Sequence, residues 1–266
     1  MDGGSSPLDS ALMSGDPDRQ VGALIELIKL GDGAAVADIL PLVGSRDVAV
    51  RSEAVRAIGY LGVAQVPVVG PVLVRMLSDS DEMVRNEAAE ALGIVRYDLA
   101  VDVLVDLLRT EMSWLVRASI SEALGGYPGR ATAALVGRVR DVEELGPVRR
   151  YAIGSLGRAG DLGRAEISAL AEEFGLDEEI GPQLRIAAYR SGDRSQLEGI
   201  TRDAARMEED ESARFLNDLE DLLRPPVPPT LSEDSTLITT ILDLVAMRWP
   251  LYSRQARHIR DQLPTA

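Results

Sequence analysis

The sequence predicts an all-α fold, an α-solenoid of about six stacked two-helix repeats closed by a C-terminal helical cap. Three observations predict it. A Val-Arg pair recurs along the chain, apolar residues around each pair keep helical spacing, and aromatics make up only 4% of a chain that is 45% hydrophobic. A core built from Ala, Leu, Val and Ile favours close helix packing over a wide β-sandwich.

The repeated helix comes first. Arg51, Arg85, Arg117, Arg149 and Arg185 are separated by 34, 32, 32 and 36 residues, with Gln20 as a weaker first member 31 residues before Arg51. Three residues after each anchor stand Ala23, Ala54, Ala88, Ile120, Ala152 and Ala188. Seven after stand Leu27, Ile58, Leu92, Leu124 and Leu156, followed by Gly59, Gly93, Gly125 and Gly157 after the last four of these, while the sixth repeat has Gly192 at the seventh place. The residue before the anchor and those three and seven after it lie at i, i+4 and i+8, which is one face of a helix. The small residues mark where two helices can approach closely.

The partner helix of each repeat is read from "GPVLVRMLSDS", "LAVDVLVDLLRT" and "ATAALVGRVRDV", with Pro71 expected in the first turn of its helix. A unit of ~32 residues cannot bury its own apolar face, so neighbours must stack. Asp47, Asp81 and Ser113 precede their arginines by four and are suited to cap the helices that carry them. Leu145 and Gly181 hold the same position without a capping side chain, so irregular stacking is expected there. The arginines read as architecture: a ligand site needs one special arginine, and here a whole column repeats.

The pattern Asp-x-x-x-Val-Arg-x-x-Ala-x-x-Ala-Leu-Gly, present as "DEMVRNEAAEALG" and, with Ile for Leu, as "DVAVRSEAVRAIG", resembles the HEAT repeat. The short period is similar to the bacterial subtype named after the phycobilisome lyases. The resemblance covers about residues 18 to 200, most strongly in the second and third repeats. It implies a right-handed superhelix whose Val-Arg helices line a concave side. It also implies a ladder in which Asp47, Arg51, Asp81, Arg85, Ser113, Arg117 and Arg149 link successive repeats. The tetratricopeptide and ankyrin signatures are missing.

Positions turned away from the core lie one, two, five and nine residues after each anchor. They give a candidate protein-binding face of Glu53, Arg56, Tyr60, Asn86, Glu87, Glu90, Glu122 and Tyr151, together with Ser52, Ser119, Arg150 and Arg158. The face is acidic in the middle and basic later. Its glutamates read as a solvated helix face rather than a catalytic or metal-binding cluster, because no base or ligand spacing accompanies them. Tyr60, Trp114, Tyr127 and Tyr151 are candidate aromatic anchors.

Four segments are expected: a flexible N-terminal tail over 1–17, the repeats over 18–224, a Pro-rich linker over 225–231 and a C-terminal helical segment over 232–266. "RDAARMEEDESARFLNDLEDLL" reads as one polar helix before "PPVPPT". Beyond it, Ser232 or Asp234 is a possible cap, Leu237, Ile241, Leu244 and Val245 form an apolar series, and Pro250 interrupts. This segment either covers the last repeat or binds a partner.

Composition bounds the function. With 28 basic against 43 acidic residues the net charge is -15, and the pI is about 4.6. Such a balance disfavours nucleic acid, whose binding rests on Lys and Arg, and favours a protein partner with a basic surface. The chain has no cysteine and one histidine, His258, so thiolate sites are excluded and a triad would hang on that residue. No Gly-rich phosphate loop, zinc motif or nucleophile elbow is present, and "GGYPG" reads as a turn. No catalytic set, metal or cofactor is expected. The N-terminus lacks the features of a secretory signal and no long uninterrupted apolar run stands out, so a cytoplasmic protein without a membrane span is expected. The function expected is a non-enzymatic scaffold or adaptor. The resemblance implies two alternatives: a phycobilin-lyase-like protein that handles a tetrapyrrole, and a HEAT-like DNA glycosylase, which net acidity disfavours.

Overall fold

The computed structural model describes residues 7–225 and 227–264, apart from the side chain of Asp161, and shows helices joined by short turns with no strand among them. The chain divides into two compact units, Met1–Tyr127 and Pro128–Ala266, so the division falls within the "GGYPG" turn.

Unit one holds α1 (Pro7–Leu12), α2 (Pro17–Leu30), α3 (Val36–Ile39), α4 (Val48–Leu61), α5 (Val66–Met76), α6 (Glu82–Val95), α7 (Val101–Thr110) and α8 (Trp114–Leu124). Helices α2, α4, α6 and α8 carry the anchors and pack in that order, with α3, α5 and α7 as the second layer. Their packed faces are the predicted ones: Val50, Ala54 and Ile58 on α4 are fully buried, as are Val84, Ala88 and Leu92 on α6. Asp47 caps α4 by accepting the Val50 N–H at 3.1 Å, and Asp81 caps α6 by accepting that of Met83 at 2.9 Å. The cap column extends to Asp16, four residues before Gln20, which starts α2.

Three expectations are corrected in this unit. Residues 7–12 are helical rather than part of a tail: Leu12 is buried, and its carbonyl accepts the side-chain amide of Gln20 at 2.8 Å. Residues 1–6 lie outside the described residues. Ser113 stands at the N-cap of α8 without a side-chain capping bond, and its N–H donates to the Glu111 carboxylate at 2.8 Å. Pro71 lies inside α5, which starts a turn earlier with Pro67 in its first positions. The stretch Val48–Met76 is long and apolar enough by composition to cross a membrane. It is broken by the 3-10 turn Gly62–Gln65, and its two halves form the helix pair of one repeat.

The glycines explain how the anchor helices come so close. A Cβ on Gly59 would lie 2.5 Å from the Cβ of Ala91, and one on Gly93 would lie 3.0 Å from the Cα of Ala123. Only glycine leaves room at those crossings. The glycine column is thus a point of close approach.

Unit two holds α9 (Thr132–Arg140), α10 (Gly146–Arg158), α11 (Arg164–Glu173), α12 (Gly181–Arg190), α13 (Leu197–Arg206), α14 (Glu209–Glu220), α15 (Leu231–Arg248) and α16 (Ser253–Gln262). Helices α10 and α12 carry Arg149 and Arg185, and neither has a side-chain cap. The single polar helix expected before the prolines is two. Met207 is extended, and Glu208 then opens α14 with a capping box in which the Glu211 carboxylate accepts the Glu208 N–H at 2.9 Å.

The C-terminal segment covers the last repeat. Leu231, Ile238, Ile241, Leu242 and Val245 of α15 share a core with Ile200, Phe215 and Leu216. Leu237 is exposed, so the buried face is turned from the expected series. Thr230, not Ser232 or Asp234, holds the N-cap position. Asp234 is instead buried and accepts the hydroxyl of Tyr189 at 3.1 Å together with a guanidinium N–H of Arg194, tying α15 to α12.

Candidate functional site

The anchors form a ladder in unit one. Arg51 forks the Asp79 carboxylate, with Nε and Nη2 each 3.0 Å from an oxygen, while Nη1 donates to the carbonyls of Ser45 and Arg46 at 2.9 and 3.3 Å. Arg85 repeats this on Glu111 at 2.9 Å for both bonds, and its Nη1 donates to the carbonyls of Asp79 and Ser80 at 3.0 and 3.2 Å. The Nη1 of Arg117 in turn donates to the carbonyls of Glu111 and Met112. Each rung thus uses one residue twice: the side chain of Asp79 serves Arg51 and its backbone serves Arg85.

These pairs are deeply placed, with the Arg85 side chain 18% and the Glu111 side chain 5% exposed. Burial pushes the Asp79 carboxyl up, but the Arg51 fork and the Asp81 N–H outweigh it and hold it below the usual carboxylate range. At Glu111 burial is likewise overcome by the Arg85 fork and the Ser113 N–H. The sequence identified the arginines and missed their acceptors. Asp79 and Glu111 stand six residues before Arg85 and Arg117 and are forked by the arginine of the preceding repeat, a column that could have been read, yet Glu179 occupies it in unit two without being forked by Arg149.

Unit two departs from the pattern. Arg149 donates from Nε to the Val139 carbonyl at 3.0 Å, stacks over Phe174 and approaches Asp177 only to 3.9 Å. Arg185 forks Asp203 at 2.6 Å for both bonds. Neither α10 nor α12 has a capping side chain; Leu145 keeps the extended cap conformation of Asp47 and Asp81, whereas Ile180 does not.

The candidate binding face is partly as expected. Arg56 pairs with Glu53 on α4 at 2.6 Å, and Tyr60 is 53% exposed. Asn86 is a correction: it is only 5% exposed, because α8 covers this flank of α6. Its amide donates to Glu90 at 3.0 Å and its carbonyl oxygen accepts the Ser119 hydroxyl at 2.7 Å, so it links two helices rather than facing a partner. Tyr127 is buried, with its hydroxyl on the Leu92 and Tyr97 carbonyls, and is a packing residue. Glu122 is exposed on α8, Trp114 is exposed at the start of that helix, and Tyr151 is exposed on α10.

Glu87 is the unusual member. It is half-buried and makes no hydrogen bond or ion pair among the described residues. Burial pushes its carboxyl up to about 7, with Glu90 and Glu53 adding to the shift and Arg56 opposing it. Among the described residues no three carboxylates or imidazoles are gathered as a metal site.

Stacked two-helix units joined through their turns define a helical-repeat protein of the α-solenoid class. Residues 57–125, from within α4 to just past α8, match the family model for HEAT repeats. Two solved structures share the fold. The complex of CpcE and CpcF of phycocyanin lyase from Nostoc sp. PCC7120 aligns with a TM-score of 0.56 and 17% identity over 85% of this chain and 92% of that chain. The Escherichia coli protein YibA aligns with a TM-score of 0.56 and 17% identity over 90% of each. No curated protein sequence is significantly similar.

Replacing Arg85 by Ala leaves Glu111 buried without its partner and strips a donor from two carbonyls. Stability is expected to fall by about 3–5 kcal/mol in denaturant melts. Arg85→Lys recovers less than half, because an ammonium cannot fork a carboxylate; full recovery by lysine would sink the ladder reading.

Glu87 has the opposite sign. Its folded-state pKa is raised above the unfolded value, so the protonated form is favoured by folding and stability declines as pH rises from about 4.5 through 7. Glu87→Gln is therefore expected to raise the melting point at pH 8 and to change little at pH 4.5, with an upper limit of about 3 kcal/mol from the size of the shift. Equal effects at both pH values would contradict the placement.

Proposed function

We propose that the protein is a binding scaffold whose α4–α6–α8 face recognises a protein partner through basic side chains. The observation that carries this reading is Glu87, a half-buried carboxyl without a partner, set between Glu53 and Glu90 on helices fixed by the ladder. An unpaired buried charge weakens a fold, so its presence on a rigid face points to a use in binding. A guanidinium or ammonium group from a partner supplies the missing counter-charge, exposed Tyr60 and Trp114 on the same helices offer aromatic contact, and the net charge of -15 steers basic surfaces inward. The ladder supplies preorganisation, which lowers the entropic cost of association.

The test is co-purification from lysate of the source cells at low and high salt, with wild type beside a Glu87→Gln, Glu90→Gln, Glu122→Gln triple variant. A salt-sensitive partner held by wild type and weakened at least ten-fold by the variant is expected, since close charge pairs at interfaces couple by about 1.5–7 kcal/mol each. Identical retention at both salt levels by both proteins would exclude this face.

The likeness of fold to the phycocyanin lyase subunits supports a second reading, in which a tetrapyrrole is handled. That reading requires a shift in the visible absorbance of a bilin on titration with the protein; an unchanged spectrum removes it.

A further inference from the structure

Unit two contains a groove of which only Arg150 and Tyr151 were legible in the sequence. Its floor is α12, with Gln183 and Arg190, and its walls are α10, with Arg150, Tyr151 and Gly154, and α14, with Arg214 and Asp218. The central part encloses about 340 Å³, the lower end of the roughly 300–1,000 Å³ of ligand clefts. That volume suits one long side chain.

Several polar groups lining it are left wholly or partly without partners. The side chains of Arg150, Arg214 and Asp218 make no hydrogen bond or ion pair among the described residues. Gln183 donates through Nε2 to the Arg150 carbonyl at 3.2 Å, and its Oε1 is buried and unpartnered. Arg190 is 7% exposed, donates through Nη2 to the Arg224 carbonyl at 2.9 Å and leaves Nε unpartnered. Arg214 is exposed, but the Gln183 Oε1 and the Arg190 Nε are buried, and buried polar groups are hydrogen-bonded as a rule, so two such atoms beside the half-buried Asp218 point to an occupant. The balance of charge selects its sign. Five carboxyls line the groove, Glu178, Glu179, Glu211, Asp218 and Asp221, against the guanidinium groups of Arg150, Arg190 and Arg214.

We propose that this groove receives an arginine side chain of a protein partner, with Asp218 as its ion-pair acceptor, the Gln183 Oε1 as a second acceptor and Tyr151 as its aromatic wall. The planar guanidinium is the cation that can serve two acceptors at once while lying against a ring. The proposal takes its protein occupant from the scaffold reading but uses different residues in a different unit. Arg150 and Arg214 oppose a second positive charge, so the site takes one arginine rather than a polybasic run. A Cβ on Gly154 would meet only the Arg158 guanidinium, at 3.6 Å, so a larger side chain there enters the groove without disturbing the core.

Burial pushes the Asp218 carboxyl up to about 7 against Arg150, with Asp221 adding to the rise and Arg214 opposing it. Tyr151 from α10, Glu178 and Glu179 from the turn before α12, Gln183 and Arg190 from α12, and Glu211 from α14 are the other polar groups that line the groove around it. A bound cation favours the ionised carboxylate, so binding strengthens as pH rises through 7, whereas an anion would bind more tightly as pH falls.

The experiment is an NMR titration of the full chain with N-acetyl-arginine amide, its neutral isostere N-acetyl-citrulline amide, and N-acetyl-glutamate amide. Saturable shifts of the Gln183 side-chain amide and of α12 and α14 are expected with the arginine probe alone, about ten-fold tighter at pH 8 than at pH 6. Asp218→Asn, shown to be folded by a melting point at or above that of wild type, is expected to weaken binding at least ten-fold and to flatten the pH dependence, and Gly154→Leu to abolish it. Equal binding of arginine and citrulline, tighter binding of the glutamate probe, or no shift in α12 and α14 would each overturn the proposal. The α4–α6–α8 face would stand in any of those cases, because its partner capture is read through Glu87.

Discussion

A single guanidinium fork sets the organisation of unit one. Arg51 and Arg85 each join the start of their own helix to the turn that opens the next, using two donors for a carboxylate and one for a pair of carbonyls. The geometry explains why arginine rather than lysine recurs: a planar group with donors on two edges can hold a carboxylate and a backbone turn together. It also explains the constant distance from cap to anchor. Asp47 and Asp81 begin the helix, and four residues later the arginine comes back alongside the turn before the cap. Stability in such an array is a sum of nearest-neighbour terms. Each rung fixes the next turn, and the glycine crossings at Gly59 and Gly93 let neighbouring anchor helices pack closely.

The same constraint is met differently in unit two. Arg185 reaches Asp203 near the end of α13, on its own repeat, while Arg149 is held by the Val139 carbonyl and the Phe174 ring. The carboxylate also feels a different balance. Asp203 is raised by burial even with its fork, whereas Asp79 and Glu111 are lowered because turn N–H groups add to the arginine. Neither α10 nor α12 has a capping side chain, and Ile180 before α12 departs from the extended cap conformation of Asp47 and Asp81. The C-terminal helices then close the stack through apolar packing and the Tyr189–Asp234–Arg194 link.

The anchors and their helix faces were legible because they follow one period along one chain. Their acceptors were not, because the pairing joins residues 28 and 26 positions apart and the same acidic column continues where no fork forms. Asn86 was misplaced for a related reason. A single helical wheel assigns one buried face, but a helix inside a stack has neighbours on two flanks, and α8 covers the side that the wheel leaves open. The break between α13 and α14 escaped because polar composition is helix-compatible throughout; only the reciprocal bonds of Glu208 and Glu211 reveal a new start. The short α1 gave too few residues for periodicity, and it is the burial of Leu12 that fixes it.

Ladder and binding surface are separable because they treat charge in opposite ways. Where a side chain maintains the stack, its hydrogen-bonding capacity is filled: the forked arginines of unit one have carboxylates and carbonyls, and those carboxylates are held in the ionised form. On the exposed flank of the same helices Glu87 has none of this, and in unit two Asp218 has none of it either. Burial raises both carboxyls because the nearby guanidinium groups, Arg56 for Glu87 and Arg150 and Arg214 for Asp218, offset it only in part and form no ion pair with them among the described residues. A fold under selection for stability alone would replace them by Gln or Asn, which keep the shape and remove the cost. In the scaffold reading and in the groove proposal alike, the compensating charge comes from outside the chain. Each concerns one unit by itself.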